Sequence, residues 1–275
     1  MKKLFTVLLI LSLSLSLCGC KGGCYESGSG ELSIVATVFP AFDFAREVAG
    51  ERASVCLLVP PGSESHSFEP TAQDILRIQN CDLLICNGGE SEVWLEDMLE
   101  SMDKDIPRVV MMDCVQTLEE EVKEGMQVQG HEHSEDEGHG HEPEYDEHVW
   151  LSLKNARTLC SAIAAALGEL DPDNRQAYAA GTADYLAQLA ALDERYQQAA
   201  EQAARNTLLF ADRFPFRYLV DDYGLNYYAA FAGCSAESEA SFETVSFLAG
   251  KVDALKLPVV LTIEGQQHKI AQTVV

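Results

Sequence analysis

Basic residues are scarce in this chain. Lysine and arginine number 19 against 44 aspartates and glutamates, so the formal net charge is -25. A nucleic-acid partner is therefore excluded, because phosphate contacts need a basic protein face. An acidic surface favours the approach of cations, and it also keeps an exported protein soluble.

Common catalytic motifs are missing as well. The pairs His131-Glu132 and His141-Glu142 lack the second histidine of H-E-x-x-H, and neither a G-x-S-x-G elbow nor a P-loop occurs. We therefore expect no enzyme. A zinc hydrolase is the weaker alternative, because it would need an open coordination position and a placed general base.

The cysteines do not form a metal-binding pattern, since no C-x-x-C pair follows the N-terminal segment. Seven cysteines follow Cys20; seven is odd, so at least one is expected to stay unpaired. Four of them lie in or beside apolar runs, where we expect small buried hydrophobes rather than a disulfide framework. These four are Cys56, Cys81, Cys86 and Cys114.

The N-terminus is predicted to be a targeting segment. Two lysines precede an apolar stretch over 4–17, which is too short for a membrane-spanning helix. Residues 1–19 are therefore predicted to be a signal peptide. A small residue directly before Cys20 resembles the bacterial lipobox, which implies cleavage there and a lipid on the sulfur; an ordinary secretory signal is the alternative. The Gly- and Ser-rich stretch 20–30 then predicts a flexible tether.

Near-continuous apolar strands alternate with helical patterns in the first half of the chain. Such alternation predicts an α/β fold with a parallel sheet covered on both faces, here over 31–153. Thr71 is the predicted N-cap of one helix, with Asp74 as its capping partner. The predicted strands are 32–38, 55–59, 83–86 and 108–112.

A long helical pattern follows over 154–205 and predicts a hairpin broken at Pro172, with Asp171 as N-cap. At ~1.5 Å per residue its second helix would be roughly 45–50 Å long, enough to join two lobes. Strands at 207–211, 227–231 and 258–263 then predict a second α/β lobe over 206–275. We expect that lobe to be incomplete at its C-terminal end.

The stretch 119–147 has a different composition. It contains twelve acidic residues, almost no apolar ones and four histidines, which are His131, His133, His139 and His141. We expect a mobile loop. Its exposed imidazoles could collect metal ions, although a solvated spacer with incidental histidines is an equal alternative.

Two further histidines are the strongest candidate metal ligands. His66 follows a strand that Pro60, Pro61 and Gly62 end, and open α/β sheets bind ligands at such strand ends. His148 follows the acidic stretch and precedes an apolar run. Neutral imidazole is the usual nitrogen ligand of zinc, manganese and copper sites. A single histidine is more often structural, but two beside a His-rich loop favour a metal site.

Several segments together resemble the bacterial lipoproteins that deliver zinc or manganese to ABC importers. The resemblance runs from about residue 33 to the last residue, and the segments are specific only as a set. They are Val59-Pro60-Pro61-Gly62-x-x-x-His66-x-Phe68-Glu69-Pro70, Ala72-x-Asp74-Ile75, Asn87-Gly88, Trp94-Leu95, His148-Val149-Trp150-Leu151, Arg46-x-Val48-Ala49-Gly50 and Tyr223-Gly224-Leu225.

The resemblance implies two α/β lobes joined by one long helix, with the metal in the cleft and His66 and His148 as the first two ligands. It places Arg213 at the third ligand position, and an arginine cannot bind a cation. Asp212 is then a candidate substitute, with a structural role for Arg213 as the alternative. Glu264, at the end of the predicted strand 258–263, is a candidate carboxylate ligand, although an ordinary loop carboxylate is the favoured interpretation. His268 is expected to be a surface residue.

The resulting hypothesis is an extracytoplasmic, lipid-anchored protein that binds zinc, with manganese as the alternative ion. We expect a monomer that passes the ion to the membrane permease of an ABC importer. A surface metal buffer or adhesin without a transporter remains open. Zinc is favoured because imidazoles suit borderline metals.

Overall fold

A computed structural model describes residues 25–28, 31–63, 68–102, 104–127, 144–233, 239–263 and 269–275. Within these residues the chain forms one sheet of five strands and one of two strands. Helices pack around both sheets, as the alternating sequence pattern predicts.

The first sheet contains the four predicted strands and one more. Its strands are β1 (Tyr25–Ser27), β2 (Leu32–Ala36), β3 (Ala53–Leu57), β4 (Leu83–Cys86) and β5 (Arg108–Val110). They lie in the order β1-β3-β2-β4-β5; β2 to β5 are parallel, and β1 pairs antiparallel with β3. Every residue of β4 is buried, as expected for a strand covered on both faces.

Three helices cover this sheet, and together they form what we call the first lobe. They are α1 (Phe39–Ala49), α2 (Ala72–Asn80) and α3 (Val93–Glu100). Alternate strand residues point to opposite faces. Ile34 and Ile85 accordingly pack with α1, whereas Val35 and Leu84 pack with the buried side chains of α2 and α3.

The predicted capping box at the start of α2 is confirmed. The Thr71 hydroxyl accepts a hydrogen bond from the Asp74 amide, and the Asp74 carboxylate accepts one from the Thr71 amide. Arg77 pairs with the same carboxylate at 2.8 Å. The helix that follows the His66 segment is therefore fixed at its first turn.

The predicted helical hairpin is present. It consists of α4 (Leu153–Leu170) and α5 (Arg175–Gln202), separated by a short 3-10 turn at Pro172–Asn174. Leu159, Ile163 and Leu167 recur at helical spacing on α4 and are buried against the first lobe. Among the described residues, none of the helices has both the length and the hydropathy that a membrane span requires.

The second lobe, as we define it, consists of two parallel strands and three helices. They are β6 (Thr207–Phe214), α6 (Arg217–Tyr223), β7 (Asn226–Ala232), α7 (Phe242–Leu255) and α8 (Lys269–Val274). Gly224 ends α6 in a left-handed conformation with φ 61°, which glycine adopts without steric cost.

Helix α5 contacts both lobes. It has 28 residues and is about 42 Å long at ~1.5 Å per residue. The Tyr185 hydroxyl donates to Asp43 of α1 at 3.3 Å, and the Tyr223 hydroxyl of α6 donates to Asp193 at 2.8 Å. The helix therefore joins the two lobes, as its length predicts.

The tether predicted over 20–30 is partly wrong. Tyr25–Ser27 forms an edge strand, with Tyr25 paired to Leu57 and Ser27 to Val55. Gly28 follows with φ 88°, and a Cβ there would lie 2.1 Å from the Ala53 carbonyl oxygen. The glycine that looks like part of a flexible linker therefore permits close approach to the sheet.

The ends of the acidic stretch 119–147 also belong to the folded body, which corrects the prediction of a mobile loop for them. Met126 is buried among aromatic residues of the second lobe, and the Gln127 amide donates to the Ala230 carbonyl at 2.9 Å. At the other end Asp146 and Glu147 are both buried. The middle of the stretch, 128–143, lies outside the described residues.

One expectation in the second lobe is wrong, because the predicted strand over 258–263 is reduced to a single parallel bridge between Leu261 and Phe210. In the hairpin, Asp171 is the N-cap residue of the 3-10 turn at Pro172–Asn174, as predicted, but its side chain makes no capping bond to a backbone amide. Its Oδ2 instead accepts from the Asn174 side chain and from the Tyr178 hydroxyl, both at 2.8 Å.

The cysteine expectation is corrected at one position. Cys56 is disulfide-bonded, and its partner lies outside the described residues because the other four described cysteines are free. Those four are Cys81, Cys86, Cys114 and Cys160. Three of the four are fully buried, as expected for small apolar side chains.

Candidate metal centre

The carboxyl ends of the parallel strands in the first lobe meet at one sheet edge. The segment after β3 is held there, since the Val59 amide donates to the Thr37 carbonyl just after β2. After the His66 segment, Phe68 packs against Trp94 of α3, with the two ring centroids 5.7 Å apart. His66 lies outside the described residues, but both ends of its loop are fixed at this edge, where α/β sheets bind ligands.

His148 lies in a partly enclosed position. Its side chain is 14% exposed, and it directly precedes a 3-10 turn at Val149–Leu151. Its imidazole contacts the Trp150 ring edge to face, at a centroid distance of 5.5 Å. The Oδ1 atom of buried Asp146 accepts from the His148 amide at 2.8 Å and lies 3.1 Å from Nδ1. The imidazole is thus restrained in orientation as well as in position.

Glu147 joins the His148 segment to the end of β4. The Asn87 side chain donates to the Glu147 carbonyl at 3.0 Å. The Glu147 carboxylate accepts from the Ser91 amide at 3.0 Å and from the Ser91 hydroxyl. Gly89, with φ 87°, lies against that carboxylate, which a Cβ would approach to 2.6 Å. These contacts place His148 beside the carboxyl edge of the first sheet.

A second buried carboxyl group lies at the same edge. Burial raises the pKa of Glu92, and the negative charge of Glu147 adds to that effect, whereas contacts with Thr37, Gly88 and Asn87 partly offset it. The Gly88 amide donates to Glu92 Oε2 at 2.8 Å. Two buried carboxyl groups thus lie at this edge beside the His148 segment, and burial favours the protonated form of the Glu92 group.

Asp212 lies on β6 in the second lobe, where the pairing with β7 is irregular between Phe210 and Arg213. Its Oδ1 accepts from the Arg213 amide at 2.9 Å, and its Oδ2 accepts from the Ile263 amide at 3.2 Å. The carboxylate therefore joins β6 to the Leu261 segment. Further lone pairs on both oxygens could still serve a cation.

The structure does not bring a complete ligand set together within the described residues. No group of three or more His, Cys, Asp or Glu side chains there could hold a metal ion. The other predicted metal-binding residues, and the lipid-attachment residue Cys20, lie outside the described part of the chain. Those residues are His66, His131, His133, His139, His141 and Glu264.

Sequence reasoning missed Asp146 as a functional candidate. It is 1% exposed, yet it stands in an acidic stretch that looks like a solvated loop. The available signal was its position two residues before His148, from which a carboxylate can accept from both the amide and the ring of the histidine.

Known structures share the fold of this chain. The chain superposes on the Zn(II)-bound ZnuA-like domain of Streptococcus pneumoniae AdcA with a TM-score of 0.70 and 28% identity, over 89% of this chain and 83% of that one. Two α/β lobes joined by one long helix thus define the class, which is that of the ZnuA-like metal-binding proteins.

The family follows from the sequence match. The family model described as "ZnuA: Zinc-uptake complex component A periplasmic" matches residues 34–275, so the chain belongs to that family. The zinc-binding lipoprotein AdcA of Streptococcus pneumoniae serotype 4 is 32% identical over 274 residues, covering 99% of this chain and 52% of AdcA.

A second relative is the high-affinity zinc uptake system protein ZnuA of Bacillus subtilis strain 168. It is 29% identical over 251 residues, covering 91% of this chain and 76% of the relative. The chain nevertheless spans only about half the length of the AdcA proteins it matches. The resemblance stated from the sequence motifs is confirmed at the level of family and fold.

Proposed function

We propose that this chain binds zinc between its two lobes and delivers it to an ABC importer. The observation that carries the proposal is the restrained imidazole of His148 at the carboxyl edge of the first sheet, where the ends of the His66 loop are also fixed. Membership of a zinc-uptake family supports zinc as the ion.

The proposed ligands are His66 and His148 from the first lobe, with Asp212 and Glu264 as candidates from the second. Two imidazoles and one or two carboxylates suit zinc, which binds nitrogen and oxygen donors in tetrahedral sites. Manganese is the alternative ion. The histidines of the acidic stretch, 131, 133, 139 and 141, are proposed to collect zinc weakly outside this site.

Cleavage before Cys20 and lipid attachment there would hold a monomer on the outer face of the cell membrane, beside the permease that receives the ion. We propose a division into an N-terminal lobe over 31–153, a linking helical hairpin over 154–205 and a C-terminal lobe over 206–275. The role we propose is that of a binding protein and not of an enzyme.

A zinc titration with single and double histidine variants tests the site. We expect His66→Ala and His148→Ala each to weaken zinc binding by at least an order of magnitude, and the double variant to lose tight binding, because two of at most four ligands are gone. His268→Ala is the matched control and should bind zinc as the wild type does. Unchanged affinity of the double variant by calorimetric competition would refute the site.

The second-lobe ligands need a separate experiment. We expect Asp212→Asn to weaken zinc binding only if its carboxylate coordinates the ion, since asparagine keeps an oxygen that can accept from the Ile263 amide. Glu264→Gln tests the other candidate in the same way. If neither variant changes zinc affinity, the second-lobe ligand lies elsewhere and both assignments are wrong.

A further inference from the structure

The geometry around Asp146 bears on which imidazole nitrogen of His148 carries a proton. The Asp146 carboxylate is 1% exposed, and its Oδ1 lies 3.1 Å from His148 Nδ1. An ionised carboxylate only accepts hydrogen bonds, so Nδ1 must be the donor. In a neutral imidazole the proton then resides on Nδ1. The lone pair is on Nε2, which is the nitrogen that can bind a metal.

Asp146 is itself held by the second lobe. The Tyr218 hydroxyl of α6 donates to the Asp146 carbonyl at 2.7 Å and accepts from the Leu118 amide at 3.1 Å. The Asp146 amide donates back to the Leu118 carbonyl at 2.9 Å. Tyr218 is 3% exposed, so this phenol is enclosed where the two lobes meet.

The end of β7 completes the enclosure of Asp146. Gly233 lies so close that a Cβ there would be 3.0 Å from Asp146 Oδ2 and 2.9 Å from the Phe214 carbonyl oxygen. Asp146 is therefore packed between the His148 backbone, the Leu118 backbone and two elements of the second lobe. A residue placed only for solubility would not be enclosed in this way.

We propose that Asp146 is a positioning residue for His148, and that Tyr218 makes this positioning depend on the second lobe. The proposal rests on the proposed function, since it assigns His148 as a ligand. Carboxylates that accept the second N–H of a metal-bound histidine fix its tautomer and ring orientation, and their loss typically weakens metal binding about 10–100-fold.

The tautomer can be measured without any metal. In metal-free protein carrying 15N-histidine, at a pH where imidazoles are neutral, the wild type should show His148 protonated on Nδ1. Asp146→Ala should move a substantial share of the proton to Nε2, as read from nitrogen shifts and two-bond couplings. A wild-type imidazole protonated on Nε2, or an unchanged tautomer in the variant, would overturn the proposal.

Zinc affinity gives the second readout. We expect Asp146→Ala to weaken zinc binding about 10–100-fold, and Asp146→Asn to weaken it less because an oxygen acceptor remains. Asp171→Asn is the control, since the Asp171 carboxylate also accepts two hydrogen bonds, from the Asn174 side chain and the Tyr178 hydroxyl, but lies in the helical hairpin. It should leave the affinity unchanged.

Tyr218→Phe tests the contribution of the second lobe. We expect a smaller loss of zinc affinity than in Asp146→Ala, together with a mixed His148 tautomer. Tyr223→Phe is the matched control, because it removes another hydroxyl of α6 that is bonded to α5. An equal effect of the two phenylalanine variants would contradict a specific role for Tyr218.

These outcomes separate the two proposals. If His148→Ala leaves zinc affinity unchanged, the proposed ligand assignment fails, whereas the tautomer measurement still decides whether Asp146 orients the imidazole. If His148→Ala abolishes tight binding and both Asp146 variants bind like the wild type, the positioning role alone is overturned. Asp146→Asn covers the case in which Asp146→Ala does not fold.

Discussion

At the residue scale, Glu92 gives the clearest dependence of stability on pH. Its ordinary pKa of 4.5 is raised by burial. Above pH 4.5 the unfolded state loses this proton while the folded state keeps it, so rising pH favours unfolding until the raised pKa is passed. The buried carboxyl group therefore lowers the free energy of unfolding at neutral pH but not in acid.

We therefore predict that Glu92→Gln gains stability relative to the wild type as the pH rises above 4.5. Glutamine keeps an oxygen for the Gly88 amide and carries no charge. Urea unfolding of both proteins across this pH range measures the difference. Glu100→Gln, at an exposed position of α3, should show little such trend. A difference that shrinks with pH would contradict the buried carboxyl.

A second prediction at this scale concerns the thiols. Burial raises the pKa of Cys81 to about 11 and of Cys160 to about 12, and it raises the pKa of Cys86 further still. Because the thiolate is the reactive form, these three should resist alkylation in the folded protein and react in denaturant. Half-buried Cys114 should react first.

Differential alkylation followed by peptide mass spectrometry checks this order. Cys56 is the internal control, because it should be labelled only after reduction of its disulfide. Rapid labelling of Cys160 in native protein would show that the helical hairpin opens far more readily than its buried packing implies.

Single residues of the site were the hardest to predict. His148 could be singled out because a histidine before an apolar run is unusual in an acidic stretch. Asp146 was missed although it stands only two residues before His148, because the bond from Tyr218 to its carbonyl, which helps to bury it, spans 72 residues of sequence. Only the folded chain brings such groups together, and composition makes Asp146 look solvated.

At the element scale, the start of α2 can be tested directly. Thr71→Ala removes the hydroxyl that accepts from the Asp74 amide, and we predict a loss of about 1 kcal/mol in the free energy of unfolding. Thr71→Ser keeps the oxygen and should lose much less. Equal stability of the alanine and serine variants in urea would contradict the cap.

Gly89, which ends the turn after β4, gives a further prediction. With φ 87° and ψ -173° it occupies a region almost restricted to glycine, and an added Cβ would meet Glu147. Gly89→Ala should lose about 1–3 kcal/mol of stability and also weaken zinc binding, since Glu147 adjoins His148.

Gly224→Ala is the matched control for that variant. Its φ of 61° is also positive, but among the described residues no atom beyond its two chain neighbours lies within 4 Å of an added Cβ. It should lose some stability, measured by urea unfolding, and keep full zinc affinity. Equal zinc affinity of the two alanine variants would show that displacing the Glu147 side chain does not disturb the position of His148.

Most elements could be predicted because their signals are local. Apolar runs bounded by Gly and Pro located β2 to β7, and Pro172 located the break in the hairpin. The elements that were predicted wrongly are those whose structure depends on pairing with neighbouring strands. Tyr25–Ser27 becomes a strand because the edge of β3 is available to it, and 258–263 contributes only the bridge from Leu261 to Phe210, where the regular pairing of β6 with β7 is interrupted.

At the scale of the whole molecule, the net charge of -25 should oppose folding through self-repulsion. We predict that the melting temperature rises between about 0.02 M and about 0.2 M salt, because the Debye length falls to below about 8 Å. Potassium and tetramethylammonium chlorides should act alike if screening is the cause. A falling melting temperature would show that ion pairs outweigh the repulsion.

The two lobes are connected at several separated places within the described residues. One is α5 with its bonds to Asp43 and Tyr223, and another is the segment that runs from the Tyr218 contact at Leu118 to the β7 contact at Gln127. A further one is Asp222 of α6, which accepts from the Ser152 hydroxyl at 2.6 Å and pairs with Lys154 at 2.9 Å. Attachments at several places should hinder both swinging and twisting of one lobe against the other.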